Sequence, residues 1–250
     1  MERIFRIGQI VPSSNVTMET EIPAMLRARE AIAPERFTFH SSRLRMRKVT
    51  KEELEAMDAE SGRCALELSD ARVDVIGYAC LVALMSMGMG FHRIAEARLH
   101  QSTIENGAPA PVVSSAGALI SGLRVLGAKR VAIIAPYVKS LTKLVVDYIE
   151  NEGFKIENWV ALEIPDNLEV AAHDPRMLLE IYRRFDPKNV DVMIISACVQ
   201  MPSLSVVSQV ESECGVPVIS AAICTAYEML RRLGLNTHIP GGGALLSGRY

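Results

Sequence analysis

The chain has 250 residues, 49% hydrophobic and 22% charged, with a net charge of −2. That is enough apolar material for one or two compact domains with a sizeable core, and the balanced charge leaves no basic footprint for nucleic acid. The start, "MERIFRIGQIVPSSN", has charges within its first six residues and no apolar run before a small-residue cleavage site, so a cytoplasmic protein is expected.

A first strand is predicted over 4–11, running into Pro12-Ser13-Ser14-Asn15, and a second over 36–42. The basic run "RLRMRKVTK" (43–51) follows and has two readings: a solvated loop, or a mobile lid whose charge attracts dianions. Thr50 and Glu53 form a capping box ahead of "EELEAMDAESGRCALELSDA". After Asp74 come 17 residues without a charge. They fall short of the roughly 18 apolar residues of a spanning helix and contain Gly77, Gly88 and Gly90, so no membrane span is expected. The stretch divides into a strand over 73–79, covered on both faces, and a Leu/Met/Ala-rich helix, with Cys80 at the join. A fourth strand is read over 111–114.

Four more strands follow, over 130–135, 155–162, 190–197 and 217–220. Asp174-Pro175 reads as N-cap and first residue of a helix over "RMLLEIYRRF". Gly153, Gly215 and Gly234 each follow an amphipathic stretch at the C′ position. A last helix, about 222–233, is expected to pack back on the first half of the chain.

The second half echoes the first. "DVMIISACV" (Asp191 to Val199) matches "DVIGYACLV" (Asp74 to Val82) with one extra residue, placing the two cysteines 118 residues apart. "RVAIIAPYVKS" (Arg130 to Ser140) matches "RIGQIVPSSN" (Arg6 to Asn15), and "PVISAAICTAY" (Pro217 to Tyr227) matches "PVVSSAGAL" (Pro111 to Leu119). Three echoes in one order argue for two similar halves. Alternating strand and helix implies parallel sheets with right-handed crossovers. The expected fold is therefore α/β: two similar lobes, each a four-stranded parallel sheet flanked by helices, related by a pseudo-two-fold axis with the active site between them. Residues 1–115 with 221–250 would form one lobe and 116–220 the other.

Ligands of open parallel sheets bind beyond the carboxyl ends of the strands. That rule puts Pro12 to Asn15, Cys80, Pro136-Tyr137 and Cys198 on facing rims. A cysteine at a strand end is ordinarily packing, but two at matching positions of a repeat point to chemistry. A thiol reacts as its thiolate, and backbone N–H groups in the turns "ACLVALM" and "ACVQMPS" are expected to favour that form. Cys64, Cys214 and Cys224 have no matched partner and read as core or near-surface residues. The five cysteines suit a reducing compartment, and no C-x-x-C or H-x-x-x-H spacing offers a zinc site.

The motifs "VPSSN", "YACLVA", "APY", "PDN" and "SACVQMPS" together resemble the aspartate/glutamate racemase superfamily and, within it, the maleate cis–trans isomerases. The resemblance covers nearly the whole chain. It implies isomerisation of maleate to fumarate without cofactor or metal. Cys80 would add to the alkene as thiolate, the resulting single bond would rotate, and elimination would give the trans product. Cys198 would supply or share a proton from the opposite face. The resemblance also implies that Asn15, Tyr137 and Asn167 hydrogen-bond the carboxylates, and that Ser13, Ser14, Val82 and Val199 add hydroxyl or backbone donors. Read alone, Asn15 is a helix cap, Asn167 a loop residue and Tyr137 a half-buried aromatic.

Two alternatives stand beside this reading. An amino-acid racemase would use the same thiols as base and acid, but racemases of the superfamily read Cys-Asn-Thr and Cys-Thr where this chain has Cys80-Leu81-Val82 and Cys198-Val199-Gln200. Related decarboxylases keep only the second thiol. A non-catalytic anion-binding protein would also fit the fold but would not need paired thiols. "MSMGMG" (85–90) reads as gap-filling methionines, "PGGGALLSG" lacks the strand and helix of a phosphate loop, and Trp159 reads as packing. The apolar run "GALISGLRVLG" points to a homodimer or higher homo-oligomer.

Overall fold

The computed structural model describes residues 3–250. The elements run β1 (Ile4–Pro12), α1 (Met18–Glu30), β2 (Arg36–Leu44), α2 (Lys51–Ala59), α3 (Ser61–Asp70), β3 (Val75–Tyr78), α4 (Leu81–Ser86), α5 (Phe91–Glu105), β4 (Val112–Ser114) and α6 (Ser115–Val125). The second half runs β5 (Arg130–Ala135), α7 (Lys139–Asn151), β6 (Lys155–Ala161), α8 (Asn167–Ala171), α9 (Leu178–Ile181), β7 (Val192–Ser196), α10 (Val207–Cys214), β8 (Val218–Ser220) and α11 (Ala221–Arg232).

The eight strands form two four-stranded sheets with the same order, β2-β1-β3-β4 and β6-β5-β7-β8. Every neighbouring pair is parallel. The inner strands β3 and β7 are apolar and wholly buried, as strands covered on both faces must be. The outer strands β2 and β6 carry partly exposed residues. Trp159 lies on β6 and is only half-buried, so it packs on one side.

One device recurs in both lobes and explains why each matched passage begins with aspartate. The Asp74 carboxylate accepts the Arg6 backbone N–H at 2.7 Å, and the Asp74 N–H donates to the Arg6 carbonyl at 2.8 Å. Asp191 does the same with Arg130, at 2.8 Å in each direction. The extra residue of the second passage lies in β7, where pairing with β8 shifts register between Ile194 and Ser196.

The expected long helix after Thr50 is two helices that meet at Glu60. Only half of its capping box forms. Thr50 accepts the Glu53 N–H at 3.4 Å, while the Glu53 carboxylate turns to the N–H groups of Arg47 and Lys48 at 2.5 and 2.9 Å. Asp174 caps as expected, but a 3-10 turn at Pro175–Met177, α9 and a second 3-10 turn at Tyr182–Arg184 replace one continuous helix. Gly153, Gly215 and Gly234 all take positive φ just past a helix.

The last helix, α11, packs along α6 and touches α1, β3 and β4 of the first sheet. The approach to α6 is close: a Cβ on Gly122 would stand 2.7 Å from Cys224 Sγ. The apolar face of α6, with Leu119, Ile120 and Leu123, is thus covered within the chain. Its hydrophobicity is no argument for a homodimer. Among the described residues no helix is long and apolar enough to cross a membrane.

Candidate active site

In a sheet of order 2-1-3-4 the chain leaves β1 toward one edge and returns on the other side of it, so connections diverge between β1 and β3. Such a switch point opens a crevice at the carboxyl ends of those two strands. Here β1 ends at Pro12 and β3 delivers Cys80; in the second lobe β5 leads into Pro136-Tyr137 and β7 delivers Cys198. The two crevices face one narrow cavity, whose walls include Pro12, Asn15, Cys80, Val82, Tyr137 and Asn167. Cys198 and Val199 complete the second-lobe side. Each lobe thus contributes one thiol to a shared space. A polar pocket elsewhere, between His92, Glu96 and Glu228, has no thiol in its walls.

Both thiols are nearly enclosed, at 8% and 7% exposure, and unpaired. Burial pushes Cys80 up to about 12; proximity of Cys198 adds to the rise, and the N–H groups of Ala83 and Val82 oppose it. Burial also raises Cys198, against the Tyr137 hydroxyl and the N–H groups of Gln200 and Met201. The turns do aim backbone donors at each sulfur. Because α4 has only six residues, these act as individual donors with little macrodipole behind them. Cys198 has the richer donor set, so the pair's negative charge is better placed there than on Cys80.

Asn15 is both a cap and a wall of the cavity. Its side-chain oxygen accepts the N–H groups of Thr17 and Met18, each at 3.0 Å, which leaves the amide N–H2 as what it can offer a ligand. Asn167 opens α8 and donates to Ser14 Oγ at 2.8 Å. The Tyr137 hydroxyl stands 3.2 Å from the Ala197 carbonyl and beside Cys198, and its single hydrogen serves one of these or turns to a ligand. Ser13 and Ser14 do not line the cavity. The Ser13 hydroxyl bonds the backbone of Met46 in both directions, at 3.1 and 3.0 Å. The Ser13 hydroxyl is therefore committed to Met46, while Ser14 accepts from Asn167 and stands behind it, outside the cavity wall.

Besides Leu81, next to Cys80, three wall residues carry no site role in the sequence reading. Met46 and Val49 belong to the basic 43–51 run, whose apolar side chains turn inward while Arg45, Arg47 and Lys48 stay exposed. Alternation of apolar and basic residues in "RLRMRKV" was the available signal. The third is Gln200, a polar residue in an otherwise apolar strand end. Among the described residues, no charged side chain lines the cavity. A bound anion would be held by neutral donors alone.

Matched parallel lobes, each placing a cysteine at the same strand end of a common cavity, define a two-lobed α/β protein that presents two thiols to one small cavity. The chain matches the arylmalonate decarboxylase family over residues 7–246. It is 64% identical to a maleate isomerase of Pseudomonas putida over 250 residues, 100% of both chains. A crystal structure of a Pseudomonas putida maleate isomerase, a cysteine-to-alanine form with maleate, superposes with a TM-score of 0.98 at 62% identity, covering 99% of each chain. A Nocardia farcinica maleate cis–trans isomerase, a cysteine-to-serine mutant with a covalently bound succinylcysteine intermediate, superposes at 0.94 with 48% identity, covering 99% of this chain and 100% of that one. The chain belongs to the maleate isomerases, within the arylmalonate decarboxylase family.

Proposed function

We propose that this enzyme converts maleate to fumarate by cysteine-mediated cis–trans isomerisation, with no cofactor. The observation that carries the reading is the pair of thiols, one from each lobe, in the walls of one cavity. Cys80 adds to one alkene carbon: a C–S bond forms, the π bond breaks, and the neighbouring carbon takes a proton from Cys198. The former double bond is now single and rotates. Cys198 removes a proton from that carbon, the C–S bond breaks, and the alkene re-forms as fumarate. No electron carrier is needed, because nothing is oxidised or reduced overall. Asn15, Tyr137 and Asn167 supply the carboxylate donors, with backbone N–H groups near Val82 and Val199.

The neutral cavity supports assigning Cys198 as the proton carrier. A thiolate on Cys80 beside two carboxylates would be opposed by burial and by charge. The Cys80 proton is best kept until attack and passed to Cys198, which carries the denser set of donors. Two thiols that must stay reduced also favour the cytoplasm.

Proton NMR of the protein with maleate in D2O, without added cofactor or metal, tests the function. Growth of the fumarate signal is the expected result; an unchanged spectrum with both thiols verified as reduced rejects it. The pH dependence follows from the raised thiols. A buried thiol is neutral below its folded pKa, and Cys80 lies near 12. Because turnover needs one proton fewer on the pair, kcat/KM for maleate should climb between about pH 7 and 9, approaching tenfold per unit. A profile already flat at pH 7 would mean that the free enzyme holds a stable thiolate.

A further inference from the structure

Gln200 lies directly after the Cys198 turn and is 1% exposed. Its side chain makes three hydrogen bonds. Oε1 accepts the Val16 N–H at 2.9 Å, and Nε2 donates to the carbonyls of Ser14 at 2.9 Å and Asn167 at 2.7 Å. Its own backbone N–H points at Cys198 Sγ, 3.4 Å away. Ser14 and Val16 flank Asn15 in the first lobe; Asn167 and Cys198 belong to the second. One side chain is therefore bonded to the backbone on either side of Asn15 and to the backbone of Asn167, and the same residue's N–H faces the thiol of its own turn.

A glutamine amide has two N–H donors and one oxygen. Both donors are occupied by protein carbonyls. Gln200 lines the cavity but has no N–H left for a dianion, so direct substrate binding is not its role. A second bond between the lobes lands just beyond it: Glu21 of α1 accepts the N–H groups of Ser203 and Leu204, both at 2.7 Å. The segment after Cys198 is thus tied to the first lobe at two points.

We infer that Gln200 is a positioning residue that fixes the two halves of the cavity relative to one another, holding Asn15, Asn167 and Cys198 in one register. This inference rests on the isomerase reading. The reaction needs a proton delivered to one carbon while a sulfur bonds the next, and displacement of such groups by about 1 Å can cost on the order of 100-fold in rate. No contact between Gln200 and substrate is required.

The test compares wild type, Gln200→Ala and Gln200→Glu in steady-state isomerisation of maleate from pH 6 to 9, with melting curves for each. Gln200→Ala is expected to raise KM and lower kcat together, reducing kcat/KM by roughly 100-fold. Gln200→Glu keeps the shape but places a carboxylate oxygen against two carbonyl oxygens. Burial and those carbonyls raise its pKa, and protonation restores one of the two lost donors. Its kcat/KM relative to wild type should therefore increase as pH falls from 9 to 6. General loss of packing would give a ratio independent of pH, so this readout decides even if the alanine variant does not fold. A ratio flat within twofold, or a folded Gln200→Ala with wild-type kinetics, overturns the inference. Failure of the wild type itself to form fumarate would reject the isomerase reading instead.

Discussion

Cys80→Ala is expected to abolish turnover, with kcat down on the order of 10⁴-fold or more, while maleate still binds within a few-fold of its wild-type affinity. The first half follows from the chemistry. Without a sulfur to add, the alkene keeps its π bond, and nothing else in the cavity walls on that side can form and later break a bond to carbon. Removing a covalent nucleophile is among the largest single-residue losses in catalysis. The second half follows from the geometry. Asn15, Tyr137 and Asn167 are held by contacts that do not involve Cys80, with Thr17 and Met18, Ala197 and Ser14 respectively.

The measurement is steady-state kinetics beside calorimetric titration of maleate. Replacing a buried thiol by a methyl group leaves a void of one sulfur atom, which costs about 1 kcal/mol of stability, so the variant stays folded and a melting curve confirms it. Retention of full activity would end the covalent mechanism. A binding protein without chemistry predicts a different pair of results: unchanged affinity and no wild-type turnover to lose.

Much of the fold was legible because it is written twice. The Asp-Val openings at Asp74 and Asp191 mark an aspartate tying the start of one strand to its neighbour in each lobe. The Ala-Cys endings mark where both strands reach the same rim. Apolar inner strands also show plainly in sequence, because covering both faces removes polar alternation. What was hidden depends on partners far along the chain. Gln200 bonds residues 184 and 186 positions earlier, and no local pattern encodes that reach. The Ser13 hydroxyl is occupied by a residue 33 positions away, so a motif that suggested a ligand donor describes a backbone brace. The break at Glu60 has only the Ser61-Gly62 pair to announce it, inside what otherwise reads as one helical stretch. The basic loop keeps its charges in solvent while Met46 and Val49 turn inward over the cavity.

Cys198→Ser should stall the reaction after its first half, with kcat falling at least roughly 1,000-fold and a covalent adduct accumulating on Cys80. The argument is one of proton affinity. After the sulfur adds, the neighbouring carbon carries negative charge next to a carboxylate and is a strong base. With serine at 198 the proton leaving Cys80 reaches that carbon directly or through water, so addition is slowed but still goes to completion. Elimination requires the reverse step, removal of that proton by the group at position 198. A thiol pair can reach the anion needed, with Tyr137 and the N–H groups of Gln200 and Met201 arranged around the sulfur. A serine hydroxyl is far less acidic and cannot, so the succinyl thioether forms and stays. Intact-protein mass spectrometry after incubation with maleate should show a gain equal to one maleic acid. The double variant Cys80→Ala/Cys198→Ser should show none. An adduct that survives in the double variant would place the nucleophile elsewhere, and a Cys198→Ser enzyme turning over at the wild-type rate would remove the second thiol from the proton path. Taken with the Cys80 variant, the pair of results separates the sulfur that bonds carbon from the sulfur that carries the proton, a distinction the pseudo-two-fold symmetry of the lobes conceals.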